Sequence, residues 1–426
     1  MKKYFSFLMV ASIIFTSLPI MPSDYRPLTF IFAAPLAILF FIKRHSLRVS
    51  ELTIVGTLCF FLLYGVLLGA TQGNRDALRG AAPIIIGLIC YLGLLELFRN
   101  TSSEKILSYL VATTLILCTL TTIEALSIYG IIPYKIKDSI AQIFANGHLV
   151  SRLQGTTHEA SWLARLLAFF IPFNLLALKQ RTPKSKAALT LTVATLLLTF
   201  SLDGYFIAII SYSAYLLINF KKALAAKKLL KTAAISIVAG LVFLPILSQT
   251  TNAFDEDSYF IQRFNKAIDL ASLDMDFIAY QIDGSIFIRL MYPIAGFKMF
   301  QDHPFGTGLG GYSENFKDYI SAEYEKTPWR IPEVDDDIQS KTGDPKSLYS
   351  RIASELGILG IIAILTVILT SRAETKRIPD TKERNLYFLI FVSALASGLQ
   401  FASFASVTLW FSFAFLSTYS RQTLKQ

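Results

Sequence analysis

The chain has 426 residues, of which 53% are hydrophobic, 13% aromatic and 16% charged, and its formal net charge is +10. A soluble domain carries roughly a quarter charged residues, so this composition excludes an ordinary soluble enzyme and indicates that lipid surrounds most of the chain. Cys59, Cys90 and Cys118 lie within apolar runs, which is typical of buried thiols rather than of a disulfide framework. The four histidines stand at no metal-ligand spacing, so the sequence predicts no metal centre.

Apolar runs recur along the chain at lengths close to the roughly 20 residues that cross a bilayer as a helix. There are twelve of them: 4–22, 27–42, 51–70, 80–98, 106–128, 161–178, 187–202, 204–219, 232–248, 352–370, 385–401 and 403–419. They predict an all-α, polytopic integral membrane protein with about 12 transmembrane helices. The first run could also be a cleaved signal peptide, but the exit Leu18-Pro19-Ile20-Met21-Pro22 has no small-residue cleavage site and favours a retained helix.

Basic residues orient these helices, because lysine and arginine accumulate in cytoplasmic loops. If both termini are cytoplasmic, the segments on that side hold 23 of the 40 basic residues. The long segment 249–350 on the other side holds seventeen of the thirty acidic residues and nine basic ones. The positive net charge therefore reflects topology in the bilayer, and nucleic acid is not an expected partner.

The predicted organisation has three parts. They are residues 1–248, with helices one to nine and an external loop at 129–160; residues 249–350, a large external loop; and residues 351–426, with helices ten to twelve. Apolar residues at near-helical spacing predict a helix over 286–302. The polar stretch from Glu333 to Asp337 predicts a mobile tip. Long external connections of this kind are usually functional.

The first candidate motif ends the shorter external loop and enters the sixth helix. It contains Arg152, Gly155, Glu159 and Ser161. A helix N-terminus favours oxygen ligands and anions, and Gly155 permits a close approach of the backbone to a ligand. An N-cap with a surface ion pair explains the same residues without a function.

The second motif lies in the large loop, where Arg289 precedes a helical stretch that ends in His303-Pro-Phe-Gly306-Thr-Gly308. A nucleotide-binding loop would follow a strand, and none precedes these glycines. A plain glycine-rich turn is the alternative. The third motif enters the tenth helix with Arg351 and Glu355, whose spacing also fits an ordinary i, i+4 ion pair.

Taken in order, the three motifs resemble the O-antigen polymerase and ligase superfamily over most of the chain. The family's Arg-x-x-Gly-x-x-x-Glu-Pro-Ser pattern is matched with Ala160 in place of proline, and its His-Pro-x-Gly-x-Gly loop is matched from His303 to Gly308. In the ligases the return segment opens with His-Asn, whereas this chain has Lys346-Ser347. The absent histidine favours a Wzy-type polymerase of O-antigen or exopolysaccharide over a ligase.

The resemblance implies a multi-pass glycosyltransferase of the bacterial inner membrane that acts on its outer face and needs no cofactor. The donor would be a glycan on a polyprenyl diphosphate, and the acceptor would be the terminal sugar of a second lipid-linked repeat unit. The product would be O-antigen, capsule or exopolysaccharide. A chain-length regulator protein is a further candidate partner.

This reaction requires positive charge for the departing diphosphate, which positioned arginines supply. Arg152 and Arg289 are the first candidates. Arg75 and Arg79, in the loop after the third helix, are weaker ones, because they could equally anchor helix ends at the lipid headgroups.

The reaction also requires a base for the acceptor hydroxyl. Glu159 is the first candidate and His303 the second. Arg165 lies on about the same helical face as Ser161 and is expected to line the same cavity. The expected supporting residues are Gly155, Ser161, Arg165, Gly306, Gly308, Arg351 and Glu355.

Other function classes remain open at this point. A ligase that transfers glycan to lipid A core or to protein is the nearest alternative. A flippase or other transporter of lipid-linked oligosaccharide would also have about twelve helices, but it would normally show internal repeats and short external loops. A scaffold would leave the arginines and glycines of both loops unexplained.

Overall fold

The computed structural model describes residues 2–17, 27–74, 76–128, 130–144, 152–218, 284–327 and 330–420. Within these ranges the chain forms fifteen α-helices and no strand, which confirms the all-α class. The helices are α1 (Lys2–Ala11), α2 (Thr29–Ile42), α3 (Val49–Thr71), α4 (Ala77–Arg99), α5 (Ser103–Ile128), α6 (Lys135–Phe144), α7 (Ala160–Lys179), α8 (Ser185–Leu198), α9 (Leu202–Ile218), α10 (Gly284–Asp302), α11 (Gly311–Tyr324), α12 (Pro332–Ser340), α13 (Leu348–Lys376), α14 (Thr381–Leu399) and α15 (Val407–Tyr419).

Eleven of the twelve predicted spans coincide with helices, and the remaining one, 232–248, lies outside the described residues. Five helices, α3, α4, α5, α7 and α13, are long and apolar enough to cross a membrane, and α2, α8 and α15 are shorter apolar helices. The first span is shorter than predicted, because α1 and a following single turn end at Ile14. These lengths agree with a polytopic membrane protein.

The long helices are apolar on every side, as expected of helices that contact lipid on one face and the protein core on the other. A helix also satisfies its backbone hydrogen bonds internally, which hydrocarbon demands. The core between them is rich in phenylalanine. Phe98 and Phe173, for example, pack edge-on against Phe411 and Phe415 of α15.

One end of the bundle gathers those predicted cytoplasmic loops that the structure describes. Arg48 donates to the carbonyl of Ser417 at 2.6 Å, and Lys179 pairs with Asp380. Tyr419 donates to the carbonyl of Thr101 at 2.7 Å. The basic loops therefore lie together, as a common membrane face requires.

At the opposite end, the glycine-rich loop between α10 and α11 packs into a break in α13. The break is at Gly357, whose φ of +62° is not helical and exposes the carbonyls before it. Thr307 donates its amide to the carbonyl of Ser354, and Gly308 donates to the carbonyl of Glu355, each at 2.8 Å. The loop thus satisfies backbone groups that the interrupted helix leaves unpaired.

The same loop also packs against α3. Leu309 donates its amide to the carbonyl of Gly65 at 2.9 Å. Gly308 has a φ of +75°, and a Cβ there would overlap the backbone of Gly69. Glycine is therefore required at Gly308 for its conformation and for its close packing.

Helices α10, α11 and α12 form a second apolar core beside the bundle. Tyr292, Tyr312 and Phe316 are buried in it with their rings in contact. The predicted helix over 286–302 is confirmed by α10. The prediction of a mobile polar tip at Glu333–Asp337 is wrong, because this stretch lies in α12 and Val334 is fully buried.

The glycine contact can be tested by adding one methyl group. We expect Gly308→Ala to lower the melting temperature of the purified protein strongly, since overpacking costs about 1–3 kcal/mol and a left-handed non-glycine residue adds about 1–2 kcal/mol. Gly56→Ala is the matched control in α3, because a Cβ there has nothing within 4 Å. Equal melting temperatures for the Gly308→Ala variant and the wild type would contradict the packing described here.

Candidate active site

A buried carboxylate fixes the loop that carries the first motif. Glu124, near the end of α5, is fully buried and accepts the backbone amides of Gln154 at 3.1 and 3.2 Å and of Gly155 at 2.7 Å. Lys137 of α6 lies 3.9 Å from Glu124 Oε1 and donates to the carbonyl of Arg152 at 3.2 Å. Carboxylate and amine together hold residues 152–155 in one position.

The rest of this loop is tied to the end of the first helix. Thr156 donates to the carbonyl of Ile14, and the amide of His158 donates to Ser17 Oγ at 3.1 Å. Gly155 has a φ of +57° and lies against Thr121. Glycine is therefore required at this position because of its positive φ and its close packing against Thr121.

Glu159 is the N-cap residue of α7, but its side chain does not cap the helix. Instead, Ser161 Oγ donates to Glu159 Oε2 at 2.8 Å. The carboxylate is half-buried. Because Glu159 is the N-cap residue, its carboxylate lies at the positive end of the helix dipole, which stabilises the charged form.

Three basic side chains lie close enough to Glu159 to affect its pKa. Burial alone would raise the pKa of Glu159, but the hydrogen bond from Ser161 and the nearby positive charges outweigh burial and hold the pKa below its ordinary value. The cations are Arg165, Lys346 and Arg289. Arg165 belongs to α7, Lys346 to the segment before α13 and Arg289 to α10, so the candidate site lies where α10 meets the bundle.

Arg289 reaches the site from the fifth residue after the start of α10. Its Nε lies 2.7 Å from Asp203 Oδ1, and Asp203 is buried at the start of α9. Arg152 is on the same side, because its Nη1 lies 3.5 Å from the carbonyl of Phe200, three residues before Asp203. Both predicted diphosphate-binding arginines therefore approach the α8–α9 connection.

Lys346 is the residue of this site that the sequence did not assign. It has a φ of +53°, and its Nζ lies 3.0 Å from Glu333 Oε1 and 5.7 Å from the ring centre of Tyr292. Burial disfavours its charge, but Asp344 and Glu333 outweigh that effect and raise the pKa of Lys346. Lys346, which the sequence analysis compared with the ligases' histidine, thus stays charged at neutral pH.

His303 and Arg79 do not join this cluster. His303 is exposed just after the C-terminal end of α10, so about 21 Å of helix separate it from Arg289 at 1.5 Å per residue. Arg79 is exposed in the first turn of α4, next to the glycine-rich loop. Arg75 lies outside the described residues.

The remaining predicted residues support the architecture around the site. Arg351 and Glu355 form the predicted i, i+4 pair, with Nε 3.7 Å from Oε2, and the amide of Gly310 donates to Glu355 Oε1 at 3.2 Å. Gly306 has a φ of +92°, and a Cβ there would overlap the carbonyl oxygen of Glu355. Gly306 and Gly308 therefore shape the loop rather than contact Glu159.

Two arginines also hold the connection between α14 and α15. Arg165 donates to the carbonyl of Gln400 at 3.0 Å, and Arg351 donates to the carbonyl of Ala402 at 2.9 Å. This connection was not predicted, because the apolar run 403–419 includes its last residues. The polar residues Gln400 and Ser403 between two apolar runs were the available signal.

The contact between Glu124 and Lys137 predicts that substitutions of these two residues are coupled in their effect on stability. Glu124→Gln and Lys137→Met should each destabilise the purified protein by about 3–5 kcal/mol, because each leaves a buried charge without its partner. The double variant should be much closer to wild type than the sum of the two singles. Lys135→Met, at an exposed lysine of the same helix, is the control and should change little. Additive losses in melting temperature would show that Glu124 and Lys137 do not interact.

Part of the chain matches a known protein family. Residues 187–365 match a family model described as O-antigen ligase. The match includes Asp203, Arg289 and Lys346, whereas Arg152 and Glu159 precede it. No protein of the curated collection matches the chain. The match covers less than half of the chain and is consistent with its resemblance to the O-antigen polymerase and ligase superfamily.

Proposed function

We propose that this protein polymerises glycan repeat units on the outer face of the bacterial inner membrane. It transfers a glycan from a polyprenyl diphosphate to the terminal sugar of a second lipid-linked unit. The observation that carries the proposal is the half-buried Glu159 carboxylate at the start of α7, which accepts a hydrogen bond from Ser161 and has a pKa lowered by that bond and by the charges of Arg165, Lys346 and Arg289. The family match supports glycosyl transfer in general.

The proposed step needs one proton acceptor and one anion site. The acceptor hydroxyl loses its proton to Glu159, and its oxygen forms a bond to the anomeric carbon of the donor sugar. The bond between that carbon and the diphosphate oxygen breaks, and the electron pair leaves with the polyprenyl diphosphate. Because its pKa is lowered, Glu159 is ionised at neutral pH and is ready to accept a proton.

Arg289 and Lys346 supply the charge for the leaving diphosphate. In the described structure each rests against a carboxylate, Asp203 for Arg289 and Glu333 for Lys346. A diphosphate bears more charge than either carboxylate, and charge-assisted hydrogen bonds to its oxygens would replace these contacts.

The lysine favours a polymerase over a ligase within this reaction class. A neutral histidine can accept a proton, but Lys346 has a raised pKa and is already protonated at neutral pH. Lys346 is therefore suited to bind an anion and not to accept a proton. Proton acceptance is left to Glu159.

A ligase stays the second candidate, because the family model itself is described as O-antigen ligase. A transporter is less well supported. Among the described residues, the buried carboxylates lie toward the two ends of the bundle, with Glu51, Glu96 and Glu374 at one end and Glu124, Asp203 and Glu355 at the other. A carrier would place such groups near the midplane.

Deletion of the gene separates polymerase from ligase. If the protein is a polymerase, a gel of the surface glycan should show single repeat units and no longer ladder. The extracted polyprenyl-linked pool should contain no long polymer. Complementation with wild type should restore the ladder, whereas Glu159→Gln at equal expression should not.

A ligase would give a different result after deletion of the gene. Normal-length polymer trapped on the carrier lipid after deletion would identify a ligase. In that case the surface glycan would be missing altogether, and Lys346 in place of histidine would not exclude ligation.

A further inference from the structure

Each proposed diphosphate ligand pairs with a carboxylate that has no part in the step described above. Arg289 Nε lies 2.7 Å from Asp203 Oδ1, and Lys346 Nζ lies 3.0 Å from Glu333 Oε1. Glu159 accepts the proton in that step, so the transfer itself gives Asp203 and Glu333 no role. The site thus holds negative charge directly beside the two cations that are to bind an anion.

The two ion pairs differ in burial. The Asp203 side chain is 6% exposed and lies in the first turn of α9, whereas the Glu333 side chain is 56% exposed on α12. Water and salt screen an exposed pair, and buried charges act on each other more strongly. Asp203 is therefore expected to affect an anion at Arg289 more than Glu333 affects an anion at Lys346.

An ion pair between α9 and α10 could serve only to join the two helices. Arg289 is not enclosed by that contact, however, because 26% of its side chain is exposed. A guanidinium has five N–H groups, so an anion from the external side can contact Arg289 next to Asp203. The two anions then lie on one guanidinium and repel each other. Asp203 therefore weakens the binding of any anion at Arg289.

The anion that leaves the reaction carries more charge than the one that enters it. In the donor, each phosphate of the diphosphate has one ionised oxygen, which gives a charge of about −2. Transfer breaks the bond to the sugar and leaves a terminal phosphate, whose second ionisation, with a pKa of about 6, brings the charge toward −3 at neutral pH. Cations alone would hold this product more tightly than the donor. A neighbouring carboxylate repels the product more than it repels the donor and so opposes that trapping.

We propose that Asp203, with a smaller contribution from Glu333, promotes the release of polyprenyl diphosphate after each transfer. The Asp203 carboxylate competes with the diphosphate for Arg289 and pairs with that side chain again when the product leaves. The inference rests on the proposed function, because it needs a diphosphate at Arg289 and Lys346. It adds a release step to the reaction and assigns two carboxylates to it.

The test measures affinity and the rate-limiting step in the purified full-length protein. Binding of undecaprenyl diphosphate is measured by isothermal titration, and the KM for native lipid-linked donor is measured in steady-state transfer. A rapid-quench experiment then counts the undecaprenyl diphosphate formed per protein molecule, both bound and released. A burst of one equivalent followed by a slower rate shows that release limits turnover.

Asp203→Asn should lower the Kd for undecaprenyl diphosphate at least fivefold and lower the donor KM by a smaller factor. Its first turnover should stay within twofold of the wild-type rate, and its steady-state rate should fall at least threefold after a burst. Glu333→Gln should lower the Kd by about twofold, because an exposed pair is weak. Asp335→Asn is the matched control, since it removes a carboxylate of α12 that lies beside Arg330, and it should change neither value.

The outcomes separate the release role from the transfer reaction. A wild-type or higher Kd in Asp203→Asn, at an unchanged melting temperature, would overturn the release role and leave transfer intact. If Asp203→Asn does not fold, a wild-type Kd in the exposed Glu333→Gln variant overturns it instead. A lower Kd without a burst would also contradict it, because release would not then limit turnover. If wild type binds undecaprenyl diphosphate but transfers no glycan, the proposed function fails, whereas a lower Kd in Asp203→Asn still supports competition at Arg289.

Discussion

The hydrogen bonds from the amides of Gln154 and Gly155 to Glu124 set the position of the loop that leads into the candidate site. A fully buried carboxylate in a membrane helix is tolerated only if its charge is matched. Here two backbone amides and Lys137 match it, and those partners belong to the loop and helix that lead to Glu159. The free energy that opposes an unpaired buried charge therefore also fixes the loop, so that Arg152 and Glu159 are positioned before any substrate arrives.

A second constraint holds α10 and α11 against the bundle. The glycine-rich loop fills the break at Gly357 in α13, so α10 and α11 cannot shift without breaking hydrogen bonds to the carbonyls of Ser354 and Glu355. Because α10 is anchored at its C-terminal end, its first turns can extend Arg289 toward Asp203. The glycines act on the site through this anchoring, over a distance of about one helix length.

The sequence predicted what hydrophobicity and local spacing determine. Apolar runs became helices because hydrocarbon leaves the backbone no other partner, and α10 followed from its apolar periodicity. The pairing of Asp203 with Arg289 joins residues far apart in the chain, so no local pattern could reveal it. Lys346 was noticed only as a missing histidine, because its closeness to Glu159 depends on how α10 and α13 pack. The α12 helix was missed because Val334 is its one fully buried residue in a stretch of acids.

Arg289 and Lys346 are proposed to bind the diphosphate beside Glu159, and a direct measurement of diphosphate binding tests this proposal. Undecaprenyl diphosphate should bind the purified wild-type protein, and the affinity should fall at least tenfold in Lys346→Ala and in Arg289→Ala combined with Asp203→Asn. The second substitution in the double variant avoids an unpaired buried carboxylate at Asp203. Lys326→Ala, at an exposed lysine that pairs with Glu323, should bind as the wild type does. Wild-type affinity in both site variants, with their melting temperatures unchanged, would contradict the account.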